Sequence, residues 1–395
     1  MSASDPIVIA GASRTPMGGF QGELSALTAS ELGGYAIKAA LEGAGVPREK
    51  VDEVLMGNVL PAGQGQAPAR QAAFHAGLGE EVPCSTLNKM CGSGMKTTMI
   101  AFDQLLAGNG SVIVAGGMES MTNAPYLLDK MRGGARLGHA EVKDHMFLDG
   151  LEDAYDKGRL MGTFAEDCAE KYQFTRDEQD AYAIRSLEGA LKAEREGWFR
   201  NEIAPVTVSS RKGDETIVTD EQPRKARPEK IPQLKPAFRK EGTVTAANSS
   251  SISDGAAALV LMRQSEAERN GYTVRARILG HASHAQAPGW FTTAPVFAMN
   301  KLMEKIGWGM DDVDLWEINE AFAVVPMAAE REMGIPREKL NIHGGACALG
   351  HPIGASGARI IVTLLNALET HGLKRGMAGI CIGGGEGTAL AIELA

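Results

Sequence analysis

The residues that could do chemistry in this 395-residue chain include a cysteine at a glycine-rich turn. In NKMCGSGMK, residues 88–96, Cys91 lies just before residues that can begin a helix. Its thiol could be a small buried hydrophobic group, a metal ligand or a nucleophile. A helix start behind Cys91 points N–H groups and the positive end of its dipole at the sulfur, which favours the thiolate. That effect is worth roughly 0.3 to 1 kcal/mol, less than one pKa unit, so a nucleophilic cysteine still needs a base.

Three further stretches contain groups that a cysteine nucleophile would need. His351 lies in a glycine-rich turn of NIHGGACALGHPIGASGAR (341–359), where a general base is better placed than a core histidine. In GICIGGGEG (379–387), Cys381 is followed by glycines whose backbone N–H groups can form an oxyanion hole. Asn319 in INEAF, at the end of a predicted buried strand, is suited to hold a water or donate to a carbonyl. It could also be a turn-forming asparagine.

Cysteine usage and overall charge restrict the classes of protein that remain. The cysteines are scattered and odd in number, and none belongs to a CxxC pair, which predicts free thiols in a reducing compartment. They are Cys84, Cys91, Cys168, Cys347 and Cys381. No histidine pair at i, i+4 accompanies them, so no metal site is predicted. The net charge of −9 argues against general nucleic-acid binding, and no run of about 18 apolar residues predicts a membrane span. With no recognisable targeting signal, we expect a cytoplasmic protein.

The chain repeats one pattern of a glycine-led helix in its two halves. CGSGMKTTMIAFDQLLAGNG (91–110) matches IGASGARIIVTLLNALETHG (353–372), and each begins with a Ser-Gly step and continues as an amphipathic helix. Asn58 lies 36 residues before the glycine of the first Ser-Gly step. Asn319 lies 38 residues before the glycine of the second. The similar spacing predicts an internal duplication.

The strands that follow the two helices repeat as well. SVIVAGGMES (111–120) and MAGICIGGGEG (377–387) are both apolar runs that end in or near glycines. The second copy returns at once through GTALAIELA (387–395). The first copy returns through DGAAALVLMR (254–263), more than a hundred residues later. The residues between are therefore predicted to be an insertion into the first half.

Two halves that alternate strands and helices predict an α/β protein with two similar sheets packed through helices. In a pseudo-twofold arrangement, the glycine turns that precede the two helices face each other across the axis. That arrangement would place Cys91 near Gly354 and its neighbour His351. The predicted domains are a first half of residues 1–120 and 250–272, an inserted domain of residues 121–249, and a second half of residues 273–395.

The predicted insertion has a helical part and a basic part. Residues 175–199 show apolar positions at helical spacing, with a threonine cap and an acidic first turn. Residues 222–240, QPRKARPEKIPQLKPAFRK, are rich in proline and basic residues and are predicted to be a loop rather than core.

The four motifs, in this order and in a duplicated frame, resemble those of the thiolases, and the resemblance extends over the whole chain. It implies a thiolase-like fold with layers in the order αβαβα. It also implies that Cys91 is the nucleophile, while His351 accepts its proton and lines one oxyanion hole with a water held by Asn319. Cys381 would be the acid/base at the α-carbon, and the N–H groups of Cys91 and Gly383 would form the second hole.

The resemblance also implies the reaction. It would be the reversible Claisen condensation of two acetyl-CoA molecules through an acyl-cysteine, or the reverse thiolysis of a 3-ketoacyl-CoA. A covalent intermediate divides a difficult condensation into two steps and predicts ping-pong kinetics. Coenzyme A thioesters are then the substrates, with no permanently bound cofactor and no nucleic-acid or membrane partner. A homotetramer built from two dimers is implied as well.

Coenzyme A carries phosphate groups, and the insertion contains basic residues in an otherwise acidic chain. Residues 200–241 hold ten Lys and Arg against seven Asp and Glu, although a solvated charged loop would look the same. The resemblance implies that Arg224 meets the nucleotide end of the ligand. It implies that Phe238 and Ser250 line the pantetheine path, and that Met161 borders the acyl pocket.

Three positions depart from the thiolase pattern. Many short-chain members have His-Met before the glycine near position 162, where this chain has Leu160. His343 replaces a common asparagine, and Phe291 stands where some biosynthetic members have methionine. The implied catalytic residues are unchanged, so these departures affect only the expected acyl-chain length.

Two alternatives share the fold but not the chemistry. A ketoacyl synthase pairs its cysteine with two histidines or with His and Asn, and it lacks a base cysteine in the last strands. A non-catalytic acyl-CoA binding protein could lose a catalytic side chain, and none is missing here. A zinc site built from Cys91, His351 and Cys381 is a third possibility, but the surrounding glycines suit oxyanion holes better than a closed tetrahedral site.

Overall fold

The computed structural model describes residues 5–211 and 213–395. The first four residues and Lys212, one of the basic residues counted between 200 and 241, lie outside the described residues. The strands are β1 (Ile7–Arg14), β2 (Gly18–Gly19), β3 (Glu53–Gly57), β4 (Cys84–Leu87), β5 (Val112–Ser120), β6 (Tyr126–Leu127), β7 (Lys143–Asp144), β8 (Val206–Ser210), β9 (Gly213–Ile217), β10 (Ser253–Arg263), β11 (Ala276–Ala285), β12 (Leu315–Ile318), β13 (Arg375–Ile382) and β14 (Glu386–Leu394). The helices are α1 (Ala29–Ala44), α2 (Pro68–His75), α3 (Ser93–Leu106), α4 (Met161–Tyr172), α5 (Arg176–Arg195), α6 (Glu221–Lys225), α7 (Gln264–Asn270), α8 (Ala294–Ile306), α9 (Val324–Met333), α10 (Ala346–Leu349) and α11 (Ser356–His371).

Strand pairing confirms the predicted duplication. In the first half the order is β4-β3-β5-β10-β1, with β3 parallel to β4 and β5 and with β10 antiparallel to β5 and β1. In the second half the order is β12-β13-β14-β11, with the same parallel and antiparallel relations. The second-half counterpart of β4 is a single parallel bridge between Trp316 and Leu340. Each half therefore carries a mixed sheet, and β10 and β14 are the return strands that the sequence predicts.

The two sheets are joined at one edge rather than fully separate. β1 and β11 pair antiparallel at Val8 with Arg277 and at Ile9 with Ala276. β1, β5 and nearly all of β10 are buried along their length, as expected for strands covered on both faces. Apolar runs without alternation are therefore the correct sequence signal for these strands.

The two asparagines that appear equivalent by spacing are one residue out of register. The N–H of Asn58 donates to Leu87 O on the β4 side, at 3.0 Å. The N–H of Asn319 donates to Gly379 O on the β13 side, also at 3.0 Å. Hydrogen-bonding direction and side-chain face alternate together along a strand, so the two side chains do not occupy equivalent places. The similar spacing of the two asparagines along the sequence hides this offset.

Helices α3 and α11 form the central layer and touch each other at their glycines. A Cβ added to Gly94 would lie 2.7 Å from Ala358 N, and one added to Gly357 would overlap the backbone of Met95. These are the glycines of the two Ser-Gly steps, so each helix start packs on the other across the pseudo-twofold axis. Side-chain burial is continuous along most of α11, as expected for a helix covered on all sides.

The remaining helices form the outer layers. α1 and α2 pack on the first sheet, where the apolar core includes Leu32, Ile37 and Val54. α8 and α9 pack on the second sheet, where the core includes Met299 and Trp316. With α3 and α11 between the sheets, the layer order is αβαβα, as predicted. No helix among the described residues is both long enough and apolar enough to cross a bilayer.

The helical part of the segment between β5 and β10 follows the prediction closely. α5 begins after Thr175, whose hydroxyl accepts from the N–H of Glu178 while the Glu178 carboxylate accepts from the N–H of Thr175. This reciprocal capping box fixes the start of the helix. The helix ends at Arg195, earlier than predicted, and a 3₁₀ turn follows at Trp198–Asn201.

The basic segment is more ordered than the predicted loop. It contains the end of α6 and a 3₁₀ turn at Pro228–Gln233, with Pro223 and Ile231 buried. Both elements are too short to show a helical repeat, and the proline at the start of the 3₁₀ turn occupies a position where no N–H donor is needed. Next to α6, Asp220 receives two hydrogen bonds from the buried Arg14 guanidinium, at 2.7 and 2.9 Å. This ion pair ties the segment to β1.

Candidate active site

The turn that carries Cys91 is closed by its own side chains. Ser93, the first residue of α3, accepts a hydrogen bond from Lys89 N at 2.8 Å and donates to Met90 O at 2.6 Å. The N–H of Met90 donates to the side chain of Asn88 at 2.9 Å, and Met90 adopts a left-handed conformation with φ 48°. The turn therefore presents Cys91 in a fixed position two residues before the helix.

The Cys91 thiol is protonated in this environment, contrary to the thiolate that a helix start favours. Burial raises the pKa of the Cys91 thiol to about 11, and the charge of Glu119 acts in the same direction. Backbone N–H groups of Gly383 and of Cys91 itself lower the pKa but do not compensate for burial. Both N–H groups thus face the sulfur of Cys91 and stabilise negative charge there.

The second cysteine shares the site with the first. Cys381 lies near the end of β13, pairs with Gly387 of β14 and is fully buried. Burial raises the pKa of the Cys381 thiol well above its ordinary value, and the charge of Cys91 raises it further. That effect of Cys91 on Cys381 requires the two sulfurs to be close. The structure thus brings together Cys91, Cys381 and Gly383, which are far apart along the chain.

His351 is held from two sides and leaves one ring nitrogen free. Its backbone N–H donates to Ser251 O at 3.1 Å, and its Nδ1 lies 2.6 Å from Ser356 Oγ. The Ser356 hydroxyl donates to Pro352 O at 3.0 Å, which uses its only proton. Ser356 must then accept from Nδ1–H, and that assigns the tautomer with an unprotonated Nε2. Burial lowers the pKa of His351 to about 3, so the ring is neutral and able to accept a proton.

Asn319 presents an unused amide beside β13. Its backbone hydrogen bond to Gly379 places it next to the strand that carries Cys381. Among the described residues, no protein group pairs with either polar atom of its buried side chain, or with His351 Nε2. Buried polar atoms are normally paired, so these three atoms are available to the oxygen of a ligand or of a water.

A buried carboxylate that the sequence did not single out, Glu320, follows this asparagine directly in the chain. Glu320 accepts hydrogen bonds from Tyr182 and Ser186 of α5, at 3.0 and 2.7 Å. It also accepts from Asn341 Nδ2 at 2.8 Å and from Cys347 N at 3.0 Å. Glu320 therefore links the asparagine motif, the histidine motif and α5. The pKa of the Cys347 thiol is raised well above its ordinary value by burial and by Glu320, which leaves that thiol inert.

The cysteine turn and the histidine turn lie against each other, as the pseudo-twofold arrangement predicts. A Cβ on Gly94 would lie 3.1 Å from Ala355 O. Cys91 and Ile353 pack in one apolar cluster, and Ile353 is two residues from His351. The turn that carries Cys91 therefore packs against the turn that follows His351.

Two cavities adjoin this site. One, of about 530 Å³, is lined by residues that include Met90, Leu148, Met161 and Gly383. The other, of about 290 Å³, is lined by Ser251 and Cys347 together with basic residues. The basic residues are Lys225, Arg227 and Lys230. The second cavity therefore connects the histidine motif with the basic segment.

Three of the four residues that we expect at coenzyme A pack against residues of the cysteine or asparagine motifs. Met161 begins α4, and its sulfur would lie 3.7 Å from a Cβ on Gly383. Phe238 meets Phe322 edge to face, with ring centroids 5.9 Å apart. The N–H of Ser250 donates to Ala321 O at 2.9 Å.

Arg224 is the exception among these residues. It is paired with Glu23 at 2.7 Å, whereas its neighbours Lys225 and Arg227 line the second cavity.

The metal interpretation of the cysteines gains no support from the arrangement. Within residues 5–211 and 213–395, no group of three or more His, Cys, Asp or Glu side chains could hold a metal ion. The backbone N–H of Gly383 and the other backbone N–H groups near the two thiols suit a developing oxyanion instead. The arrangement combines two neighbouring thiols with a neutral imidazole and unpaired amide atoms, which are the groups that an acyl-transfer centre needs.

Comparison with known proteins gives the same class. The sequence matches the thiolase N-terminal domain family over residues 7–265 and the thiolase C-terminal domain family over residues 272–394. The chain belongs to the thiolase family and is an acyltransferase.

Individual relatives match over almost the whole chain. It is 50% identical to acetyl-CoA acetyltransferase 2 of Arabidopsis thaliana, covering 98% of this chain and 97% of that protein. It is 48% identical to acetyl-CoA acetyltransferase of Pseudomonas aeruginosa, with 98% of each covered. The crystal structure of the Bacillus anthracis acetyl-CoA acetyltransferase matches at TM-score 0.96 and 41% identity, covering 100% of both chains. Acat5 thiolase from Ascaris suum in complex with coenzyme A matches at TM-score 0.93 and 39% identity, covering 99% of this chain and 100% of that one.

Proposed function

We propose that this protein catalyses the reversible Claisen condensation of two acetyl-CoA molecules to acetoacetyl-CoA and free coenzyme A. The observation that carries the proposal is the set of unpaired buried atoms, His351 Nε2 and the Asn319 amide, in a molecule that also brings the thiols of Cys91 and Cys381 close together. The names of the relatives at 48 to 50% identity support acetyl-CoA as the substrate.

In the first half-reaction, Cys91 attacks the thioester carbonyl of acetyl-CoA. With a Cys91 pKa near 11 and a His351 pKa near 3, the resting pair is neutral thiol and neutral imidazole. The proton therefore moves to His351 Nε2 as the carbon–sulfur bond forms, instead of beforehand. Cys381 donates its proton to the departing coenzyme A sulfur. The products are acetyl-Cys91, free coenzyme A, a protonated His351 and a Cys381 thiolate.

In the second half-reaction, the Cys381 thiolate removes an α-proton from a second acetyl-CoA. A thioester acidifies that C–H only modestly, so the enolate oxygen needs a prepared site. His351 and a water held by Asn319 form that site, and the N–H groups of Cys91 and Gly383 hold the oxygen of the acetyl-enzyme. The enolate carbon attacks the acetyl carbonyl, the bond to Cys91 breaks, and the Cys91 sulfur regains its proton from His351.

The second cavity, called the basic groove from here on, is the proposed path of coenzyme A. Lys225, Arg227 and Lys230 supply positive charge for the phosphates at one end, and Ser251 lies at the reactive end. Phe238, Ser250 and Met161 keep the roles that the family resemblance implies for the pantetheine and the acyl group. Arg224 keeps its proposed contact with the nucleotide only if coenzyme A competes with Glu23 for it.

A second candidate is thiolysis of longer 3-ketoacyl-CoA substrates. The cavity of about 530 Å³ beside Met90 and Met161 exceeds what an acetyl group needs and supports this alternative. Comparison of kcat/KM for acetoacetyl-CoA with values for longer 3-ketoacyl-CoAs decides between them. A preference for the longer substrates would assign the protein to the second class.

The remaining proposals concern assembly and organisation. We infer a cytoplasmic homotetramer, as the family resemblance implies, and sedimentation equilibrium measures its subunit number. The domain division at residues 1–120 with 250–272, 121–249 and 273–395 likewise stays a prediction. Limited proteolysis, which cleaves first near exposed boundaries, tests that division.

The covalent step gives the direct test of the proposed function. The protein is incubated with acetyl-CoA, digested under acid and analysed by peptide mass spectrometry. One acetyl group on the peptide that contains Cys91 is expected, and Cys91→Ala removes it. An adduct that survives in Cys91→Ala at another residue, or no adduct in the unmodified enzyme, contradicts the mechanism.

A further inference from the structure

Glu119 is a buried ionisable group that the proposed reaction does not use. It lies next to the end of β5, and its side chain is fully buried. Oε1 accepts from Asn58 Nδ2 at 2.6 Å and from Leu60 N at 3.1 Å. Oε2 accepts from Val59 N at 2.9 Å and from Gly354 N, also at 2.9 Å. Four N–H donors from two separate parts of the chain thus converge on one carboxylate.

The four donors show which form of Glu119 the site is built for. A carboxylate only accepts hydrogen bonds, whereas a protonated carboxyl would have to turn its O–H toward one of these N–H groups. Burial raises the pKa of Glu119 to about 7, and the nearby Asp254 on β10 raises it too, while the N–H groups of Val59, Leu60 and Gly354 lower it. The hydrogen-bonding pattern is therefore that of the ionised form.

Gly354 connects this carboxylate to the general base. It lies three residues after His351, in the turn before α11. A Cβ on Gly354 would lie 2.6 Å from Glu119 Oε2 and 2.7 Å from Met118 O, so the turn sits directly on the end of β5. The bond from Gly354 to Glu119 thus fixes a second-half turn to a first-half strand.

The other donors connect Glu119 to the nucleophile side. Val59 packs in the apolar cluster that Cys91 and Ile353 also contact. Val59 also lines the cavity beside Gly383. The negative charge of Glu119 acts on the Cys91 thiol and disfavours its ionisation. One group is thus linked through contacts to the turn of the base and through its charge to the nucleophile.

We propose that Glu119 is a positioning residue for the reaction: its carboxylate clamps the turn of His351 onto the Val59–Leu60 turn, so that Nε2 stays directed at Cys91. The inference rests on the proposed roles of Cys91 and His351. Glu119 does not touch substrate in this scheme and acts through Gly354. Its negative charge also adds to the effect of burial, which keeps Cys91 a neutral thiol until the base takes the proton.

Glu119→Gln tests the clamp, because it replaces one acceptor oxygen by an N–H₂ group that faces N–H donors. Misplacement of a catalytic group by about 1 Å can cost roughly 100-fold in rate, so we expect acetylation of Cys91 to slow by about 10- to 100-fold. KM for acetyl-CoA should change little, since Glu119 does not line the basic groove. Loss of the negative charge should also move the pH profile of Cys91 alkylation by iodoacetamide to lower pH.

Glu166→Gln is the matched control. Glu166 is also buried, and its carboxylate also accepts from backbone N–H groups, those of Thr243 and Val244. It contacts no catalytic motif, so Glu166→Gln should keep the unmodified alkylation profile even if it lowers stability. A purely structural role for Glu119 predicts that both variants behave alike.

A second variant separates geometry from charge. Glu119→Asp keeps the charge but shortens the reach to Gly354, so slower acetylation with an unshifted alkylation profile is expected. If Glu119→Gln does not fold, this variant alone decides, and an unmodified acetylation rate in Glu119→Asp overturns the proposal. Folded Glu119→Gln with unmodified rate and profile overturns it equally. Failure of the unmodified enzyme to acetylate Cys91 would instead refute the proposed function.

Discussion

The turns before α3 and α11 are built alike, yet they do different chemical work. Ser93 and Ser356 each occupy the first position of their helix and donate to a carbonyl of the preceding turn, Met90 O and Pro352 O. In the first copy the serine oxygen accepts from the backbone N–H of Lys89. In the second copy it lies against the ring of His351. The same turn therefore fixes the proposed nucleophile in one half and orients the proposed base in the other.

This difference shows how a duplicated scaffold supplies two unlike catalytic groups. The close approach of Gly94 and Gly357 brings the two helix starts together, and each turn then needs only one functional side chain. Cys91 lies three residues before its glycine, and Gly354 lies three before the other. Where the first turn has the thiol of Cys91, the second has Gly354, which has no side chain and donates its N–H to Glu119.

Among the substitutions that compare the two turns, removal of the proposed base, His351, should have the largest effect on the rate of acetylation. With a neutral thiol at Cys91, His351→Ala leaves no group to take the proton, and acetylation should slow by about 10² to 10⁴-fold. Rapid-quench measurement of acetyl transfer from labelled acetyl-CoA gives this rate. His343→Asn is the matched control, because His343 is buried but belongs to no part of the proposed mechanism. Acetylation of His351→Ala within tenfold of the unmodified rate would contradict a base role.

The two serines provide a finer test. Ser356→Ala removes the acceptor of Nδ1–H, and a hydrogen bond worth about 1 to 1.5 kcal/mol predicts roughly tenfold slower acetylation with a changed pH profile. Ser93→Ala should lower the free energy of unfolding by about 1 kcal/mol and keep the profile. Rapid-quench acetylation as a function of pH compares the two variants, and Ser356→Thr should restore the rate. Identical pH profiles for Ser93→Ala and Ser356→Ala would remove the distinction between the turns.

The sequence predicts the groups of the site better than their electrostatics. Cys91, His351, Asn319 and Cys381 carry local signals, namely glycine-rich turns and strand ends, and the structure brings them together. The helix dipole suggested a thiolate at Cys91, but the pKa of that thiol is raised because its burial outweighs the dipole. Burial depends on the packing of both halves, which no local pattern reports.

Contacts between residues far apart in the chain are the second feature that the sequence did not predict. Glu119 meets Gly354 across 235 positions, and Glu320 meets Tyr182 across 138. Nothing near either glutamate in the sequence indicates a partner. Ser356 could have been found, because the repeated Ser-Gly step places it where Ser93 stands. The short helical turns of the basic segment have no periodicity to detect.

Two of the buried histidines, His343 and His351, predict how stability depends on pH. His343 stacks on Trp198, hydrogen-bonds to His371, and has its pKa lowered to about 3 by burial. Between about pH 6.5 and pH 3, His343 is protonated in the unfolded chain but neutral in the native state. Its stabilising contribution is therefore present above pH 6.5 and is lost as the pH falls toward 3. The loss is about 1.4 kcal/mol per pH unit for each such histidine.

His343→Asn should therefore reduce the pH dependence of stability without affecting the role of His351. Urea unfolding at several pH values below 6.5 measures the slope, which should fall by about 1.4 kcal/mol per pH unit in the variant. His351 still contributes its own share, because its pKa is lowered to about 3 as well. An unchanged slope would show that His343 is protonated in the native state.

The central claim is that two thiols divide the reaction, with Cys91 carrying the acyl group and Cys381 moving the α-proton. Cys381→Ser tests it when acetylation of Cys91 and formation of acetoacetyl-CoA are measured on the same sample by rapid quench. A serine is a far weaker acid and base, so condensation should fall much further than acetyl transfer to Cys91. Equal losses in the two steps would contradict the division and remove the α-proton role from Cys381.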